Sequence, residues 1–193
     1  MIDSALLLNA YASGWFPMAV DHEVHWFSPD PRGVVPLDRL HVPRRLARLV
    51  RSGAFRIEVD RAFVDVMRAC AANRDADDPG TWINEEIIAS YTALHARGFA
   101  HSVEAWNGDR LAGGLYGVAL GGAFFGESMF HHETNASKVA FVALAERLRE
   151  RGFTLLDTQW VTPHLEQFGA IEIPRADYLK RLQVSLRHHC AFV

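Results

Sequence analysis

Cysteine is nearly absent from this chain: Cys70 and Cys190 are too few and too far apart for a disulfide framework or a thiolate zinc site. That scarcity fits a reducing compartment. No apolar run is long enough to span a bilayer and no cationic apolar leader is present, so the expected location is the cytoplasm, with no membrane partner. The net charge of −3 argues against indiscriminate coating of nucleic acid, while leaving room for a local basic patch. Gly126-Glu127-Ser128 does not continue into a Gly-x-Ser-x-Gly elbow, so a serine hydrolase lacks its turn. His131-His132 and His188-His189 are adjacent pairs, whereas helical metal ligation uses i, i+3 or i, i+4 spacing; no metal site is expected.

What is present suffices for a globular protein. With 193 residues, 49% of them hydrophobic and 22% charged, the chain can bury a core in one domain, or in a small and a larger one. The segment from Gly113 to Lys138 stands out because glycines and aromatics surround a single central acid, Glu127, between two expected strands. Glycine packs nothing and weakens a strand, so this density marks either turns and close approaches at a site or an ordinary glycine-rich hairpin.

From Pro43 to Arg51, Leu46, Leu49 and Val50 form an apolar helical face, while Arg44, Arg48 and Arg51 fall on another with Arg45 beside them. Pro43 is expected at the first helical position and Gly53 just past the end. The arginine stripe reads either as a solvated face or as a contact for RNA phosphates, which guanidinium forks suit. Asp60 is expected to cap a helix lined by Phe63, Met67 and Cys70, and Asn84 one lined by Ile87, Tyr91 and Leu94. Arg74 to Gly80 reads as a loop. Ala100 to Trp106 and Arg110 to Leu120 then form a hairpin around Asn107-Gly108-Asp109, and Ala123 to Phe130 adds a third strand. Asn135 is expected to cap a helix with Phe141, Leu144, Ala145 and Leu148 inward, which Gly152 ends. Phe153 to Trp160 is a short buried strand and Ala176 to Arg187 a final helix. This order implies an α+β or mixed-sheet layer.

Several ordered words carry a family resemblance. Tyr116-Gly117-Val118, Gly126-Glu127-Ser128-Met129-Phe130 and Asn135-Ala136-Ser137-Lys138 resemble the leucyl/phenylalanyl-tRNA–protein transferases. So do Gly14-Trp15-Phe16-Pro17-Met18, Trp26 to Arg32, Thr81-Trp82-Ile83, Ala100 to Trp106, Leu156-Asp157-Thr158-Gln159 and Gly169 to Arg175. The resemblance runs from about Tyr11 to Leu182. It implies a GNAT-like acyltransferase core, a mixed sheet flanked by helices, in residues 36–193, after a small N-terminal domain in residues 1–35. The chain starts almost on the Gly-x-Phe-Pro word, so that small domain is expected to be shortened. An acetyl-CoA enzyme of similar core would carry a glycine-spaced pyrophosphate loop before the helix; His131 to Ser137 stands there without glycine, which counts against coenzyme A.

The reaction the resemblance implies is transfer of Leu or Phe, and also Met, from tRNA to the α-amine of proteins beginning with Arg or Lys, creating a degradation signal for the Clp route. No cofactor is expected, because the aminoacyl ester is already activated. The resemblance makes Asp157 and Gln159 the catalytic pair. On a regular strand the two share a face and point into one cleft, with Leu156 and Thr158 on the other. Read without the family, an Asp-x-Gln at a strand end is as well a cap or a solvated pair. By the same resemblance Trp82, Tyr91 and Glu127 bind the aminoacyl-adenosine, while Leu115, Phe124, Leu144, Leu148 and Leu156 form its apolar side-chain pocket. Met18 stands where some relatives have tryptophan, so no stacking is expected from it. Asp30 and Arg32, among Pro29 and Pro31, read as a fixed turn joining the domains. Arg44, Arg45, Arg48 and Arg51 are the candidates for tRNA contact, and a monomer is expected. Two rivals stand beside this reading: a related aminoacyl transferase with another acceptor, and an RNA-binding module with a degenerate site. Retention of Asp157, Gln159 and Glu127 weighs against the second.

Overall fold

A Gly108-Asp109 turn sets the centre of the molecule, with Asn107 closing the strand before it. Gly108 adopts φ 59° in the two-residue turn that joins β5 (Ala100–Asn107) to β6 (Arg110–Leu120), and β7 (Ala123–His131) folds back antiparallel on β6. The computed structural model describes residues 1–21, 23–72 and 81–193; the loop expected from Arg74 to Gly80 lies outside them. From β7 the chain passes through α5 (Ala136–Glu150) into β8 (Leu155–Gln159), which pairs parallel to β7. Gly113 of β6 lets α5 approach closely: a Cβ there would lie 2.7 Å from the Ala136 methyl and 2.9 Å from the Ser137 nitrogen.

Five further strands join this core. β1 (Phe16–Val20) and β2 (Glu23–Phe27) form a separate two-stranded sheet. β3 (Arg32–Val35), β4 (Arg56–Val59), β8 and β9 (Ile171–Ile173) complete a seven-stranded sheet of order β4-β5-β6-β7-β8-β3-β9, in which β7 and β8 are the parallel pair. This is the mixed α+β layer that the strand order implied. One face buries α1 (Ser4–Ala12), α3 (Phe63–Ala72), α4 (Glu85–Ala96) and α7 (Arg175–Ser185) through Leu7, Tyr11, Met67, Ile87, Tyr91 and Leu182. The other buries α2 (Arg44–Arg51), α5 and the short α6 (Pro163–Glu166) through Leu46, Phe141, Leu148 and Leu165. Each such side chain contributes roughly 1.5–3 kcal/mol when fully removed from water. Leu7, Tyr11 and Phe16 belong to the same apolar cluster as Tyr116 and Phe125, so the first residues and the large sheet share a core.

Local capping follows the sequence in one case and departs from it in others. Asn84 caps α4, accepting the Ile87 N–H at 2.9 Å. Asp60 is no helix cap: its carboxylate takes the Ser102 N–H at 2.9 Å and bonds the His101 ring at 2.7 Å. Instead Glu104, a strand residue with no exposed surface, accepts from the N–H groups of Arg61 and Ala62 just before α3. A distant carboxylate thus performs the job that the nearest acidic residue seemed placed for. Asn135 precedes α5 in the left-handed region, φ 69°, and makes no side-chain capping bond. Pro43 precedes α2 as its N-cap residue rather than opening it, and Gly53 follows it at φ 65°.

Candidate active site

A cavity of about 530 Å³ opens where β7, the end of β8 and the first turns of α5 meet the β1–β2 hairpin. Its apolar wall holds Leu115, Phe141, Leu144 and Leu165; Phe16, Met18, Trp82 and Trp160 also line it, and Glu127, Thr158 and Gln159 are among its polar residues. Glu127 is held from beneath by two tyrosines. Tyr11 donates to its Oε1 at 2.7 Å, the Tyr91 hydroxyl lies 3.3 Å from its Oε2, and the two hydroxyls also meet, so two phenolic protons are shared among three contacts. The Gln159 amide donates to Glu127 Oε1 at 3.3 Å. Burial pushes the Glu127 carboxyl up to about 8, against the opposing pull of the tyrosine hydrogen bonds. Burial first, and then the Glu127 charge, keep the Tyr11 and Tyr91 hydroxyls above their ordinary value, so both remain donors. His164 on the cavity wall is shifted downward by burial and by the charges of Lys138 and His131, which favours its neutral ring.

Asp157 lies behind this surface, not on it. Its side chain has no exposed surface and receives four hydrogen bonds: Arg32 Nε at 2.9 Å, Arg32 Nη2 at 2.7 Å, the Tyr178 hydroxyl at 2.7 Å and the Gln159 N–H at 2.9 Å. The expectation that Asp157 and Gln159 point together into one cleft therefore fails on geometry. Gln159 takes φ 59°, which breaks strand alternation, and Thr158 and Gln159 line the cavity while Asp157 faces the core. Arg32, read as part of a linker turn, is itself fully buried as the partner of Asp157.

The remaining candidates divide in the same way. Trp82, Leu115, Glu127 and Leu144 line the cavity. Tyr91 touches it only through Glu127. Phe124, Leu148 and Leu156 have no exposed surface and sit one layer back, in the cluster packed under α5, so they support the apolar wall without forming it. Phe124 is placed there because its ring lies over Gly117, where any side chain would collide with it. Sequence reasoning missed Tyr11, Arg32, Tyr178, Thr158 and Phe141 as parts of the site. Only Arg32 gave a local signal, since an arginine set directly before the apolar strand residues Gly33, Val34 and Val35 needs a buried partner.

A second concavity, of about 670 Å³, lies on the other side of the first turn of α5. Arg45 and Arg48 line it with Lys138, Asn135 and Gln167. Arg44 and Arg51 are exposed on the same helix, and none of the four arginines forms an ion pair among the described residues.

Comparison with known proteins bears on what these cavities serve. The family model "Leucyl/phenylalanyl-tRNA protein transferase" matches residues 34–183, and the model of that family's N-terminal domain matches residues 1–30. Among curated relatives, the leucyl/phenylalanyl-tRNA–protein transferase of Rubrobacter xylanophilus is 54% identical over 189 residues, 97% of this chain and 96% of that one. The enzymes of that name from Gloeobacter violaceus and Paramagnetospirillum magneticum are 52% and 56% identical, covering 97% and 94% of this chain and 95% and 88% of theirs. Among solved structures, L-PGS from Bacillus licheniformis is similar with a TM-score of 0.46 at 11% identity, covering 92% of this chain and 69% of that one. Matched over most of its length by family models and relatives alike, the chain belongs to the leucyl/phenylalanyl-tRNA protein transferase family.

Proposed function

We propose that this protein transfers a leucyl or phenylalanyl group, and also methionyl, from the acceptor end of tRNA to the α-amine of proteins that begin with Arg or Lys. The observation that carries the reading is identity above one half to transferases of this name over nearly the whole chain. The cavity agrees with it, setting an apolar wall beside a carboxyl and an amide. In this reading the aminoacyl side chain rests against Leu115, Phe141 and Leu144, with Phe124, Leu148 and Leu156 packed behind. Trp82 offers its indole to the terminal adenine, a stack worth roughly 1–3 kcal/mol. Glu127, steadied by Tyr91, receives the aminoacyl ammonium. The acceptor amine attacks the ester carbonyl, the carbon–nitrogen bond forms, and the ribose hydroxyl leaves with a proton. A free α-amine has pKa about 7.7–8.0, so a useful fraction is neutral near pH 7 and the main task is alignment. Gln159 aligns that amine, and Asp157 acts on it through Gln159 rather than by contact. The arginines of α2 lie along the tRNA backbone, residues 1–35 form the family's small N-terminal part, and the enzyme works as a cytoplasmic monomer that marks its acceptors for degradation.

The test is to incubate the protein with labelled Leu-tRNA and peptides beginning with Lys, Arg or Ala. Label is expected on the Lys and Arg peptides without ATP, metal or coenzyme A; equal labelling of the Ala peptide, or dependence on acetyl-CoA, overturns the reading. The tRNA interface gives a separate expected result. Replacing Arg44, Arg48 and Arg51 together with Gln should weaken tRNA binding and flatten the plot of log affinity against log salt by roughly 2, at about 0.7–0.9 per lost phosphate contact. An unaltered slope returns the stripe to a solvated helix face.

A further inference from the structure

We infer that Arg32 and Gly33, adjacent in β3, are positioning residues for Gln159, an inference that rests on the transferase reading above. Gln159 occupies the left-handed region at φ 59°, and across it the Trp160 N–H donates to the Thr158 carbonyl at 2.6 Å. That i to i+2 bond defines a γ-turn. A residue with a side chain persists in such a turn only where its surroundings over-determine it.

Two neighbours impose it here. The Gln159 N–H points at Asp157 Oδ1, and Asp157 is held immobile by the Arg32 fork and the Tyr178 hydroxyl. Arg32 is fixed in turn: its Nη1 donates to the Gly14 carbonyl at 3.0 Å, and its guanidinium lies 4.4 Å from the Tyr178 ring centroid. Gly33, paired with Gln159 in the β3–β8 ladder just before a register shift, supplies the space. A Cβ on Gly33 would lie 2.5 Å from the Trp160 carbonyl carbon and 2.9 Å from its Cα, so the turn exists only against a glycine. Together the two residues sort the Asp-x-Gln word, keeping the acid in the core and delivering the amide to the cavity beside Glu127.

Single-turnover transfer from labelled Leu-tRNA to a Lys-initiated peptide separates positioning from folding. Loss of folded protein lowers the amplitude, whereas a misplaced amide lowers the rate constant. Gly33→Ala is expected to lower the rate constant about 100-fold, the cost of an ångström-scale misplacement, with amplitude and tRNA affinity near wild type. Arg32→Lys, which keeps the charge and loses the fork, should fall in the same direction. Should either protein fail to fold, Tyr178→Phe decides the matter: it removes a single donor from Asp157, and about a 10-fold slower rate constant at full amplitude is expected. Wild-type rate constants in the folded variants, with only amplitude reduced, overturn the inference and leave Arg32 and Gly33 as fold-holding residues. Absence of transfer by the wild-type protein overturns the functional reading instead.

Discussion

Asp157→Ala is expected to destabilise the protein by about 3–5 kcal/mol and to lower turnover about 100-fold, because removing one member of a buried ion pair strands its partner and frees the group it held. Both Asp157 and Arg32 have side chains without exposed surface, so alanine leaves a guanidinium in the interior facing Tyr178 and Phe16 with its anion gone. Gln159 at the same time loses the acceptor of its backbone N–H, and its turn relaxes. A buried pair and a well-packed apolar replacement are often close in stability, so the net worth of such a pair does not explain its presence. Its position beneath Gln159 does. Asp157→Asn separates the two effects: an amide oxygen can still accept from Gln159, but the fork of Arg32 loses its symmetric partner. Urea midpoints and kcat, measured with tRNA saturating, check both variants. A wild-type kcat in Asp157→Ala removes the residue from the transfer step, and an unchanged midpoint contradicts the burial argument.

Asp157 also marks the limit of what the sequence allowed. Some local rules sufficed, although Asn135 and Pro43 departed from theirs. The Asn107-Gly108-Asp109 stretch placed the β5–β6 hairpin, though its two turn residues are Gly108 and Asp109; helical periodicity placed α4 and α5, and Asn84 capped α4 as its type suggests. Two of the failures, at Arg32 and at Glu104, have their cause in long-range pairing. β3 sits between β8 and β9, so Arg32 meets a residue 125 positions away, and nothing in either neighbourhood announces the other. The same holds for Glu104, which serves the start of α3 from across a strand pair. Apolar residues carry still less information about their layer. Leu115 and Leu144 line the cavity while Phe124, Leu148 and Leu156 stand behind it, a division set by the glycine at position 117 and the docking of α5 rather than by side-chain type. Gln159 is the sharpest case. Strand alternation is a sound rule, and a single left-handed residue reverses its outcome.

Glu127→Gln is expected to change how stability depends on pH. In the folded protein burial raises the Glu127 carboxyl from 4.5 to about 8, so between those values the folded state keeps a proton that the unfolded chain has released. The folded state then binds more protons than the unfolded one, and stability falls as pH rises, by up to about 1.4 kcal/mol per pH unit from this residue. The contribution is fully present below pH 4.5 and is lost as pH passes through about 8, where both states are ionised and the slope vanishes. Glutamine does not titrate and can still accept from Tyr11, so the variant lacks this slope while the other groups, common to both proteins, cancel in the difference. The urea midpoint of Glu127→Gln should therefore gain steadily on wild type between pH 5 and pH 8 and run parallel above that. Midpoints that stay parallel throughout would mean that Glu127 ionises like a surface carboxylate, and that the tyrosine pair beneath it offsets its burial. Under the proposed function the same proton has a further consequence. An ammonium entering beside Glu127 favours the ionised form, so binding of an aminoacyl-adenosine analogue near pH 7 should release a proton in wild type and none in Glu127→Gln, as titration calorimetry in buffers of different ionisation enthalpy would register.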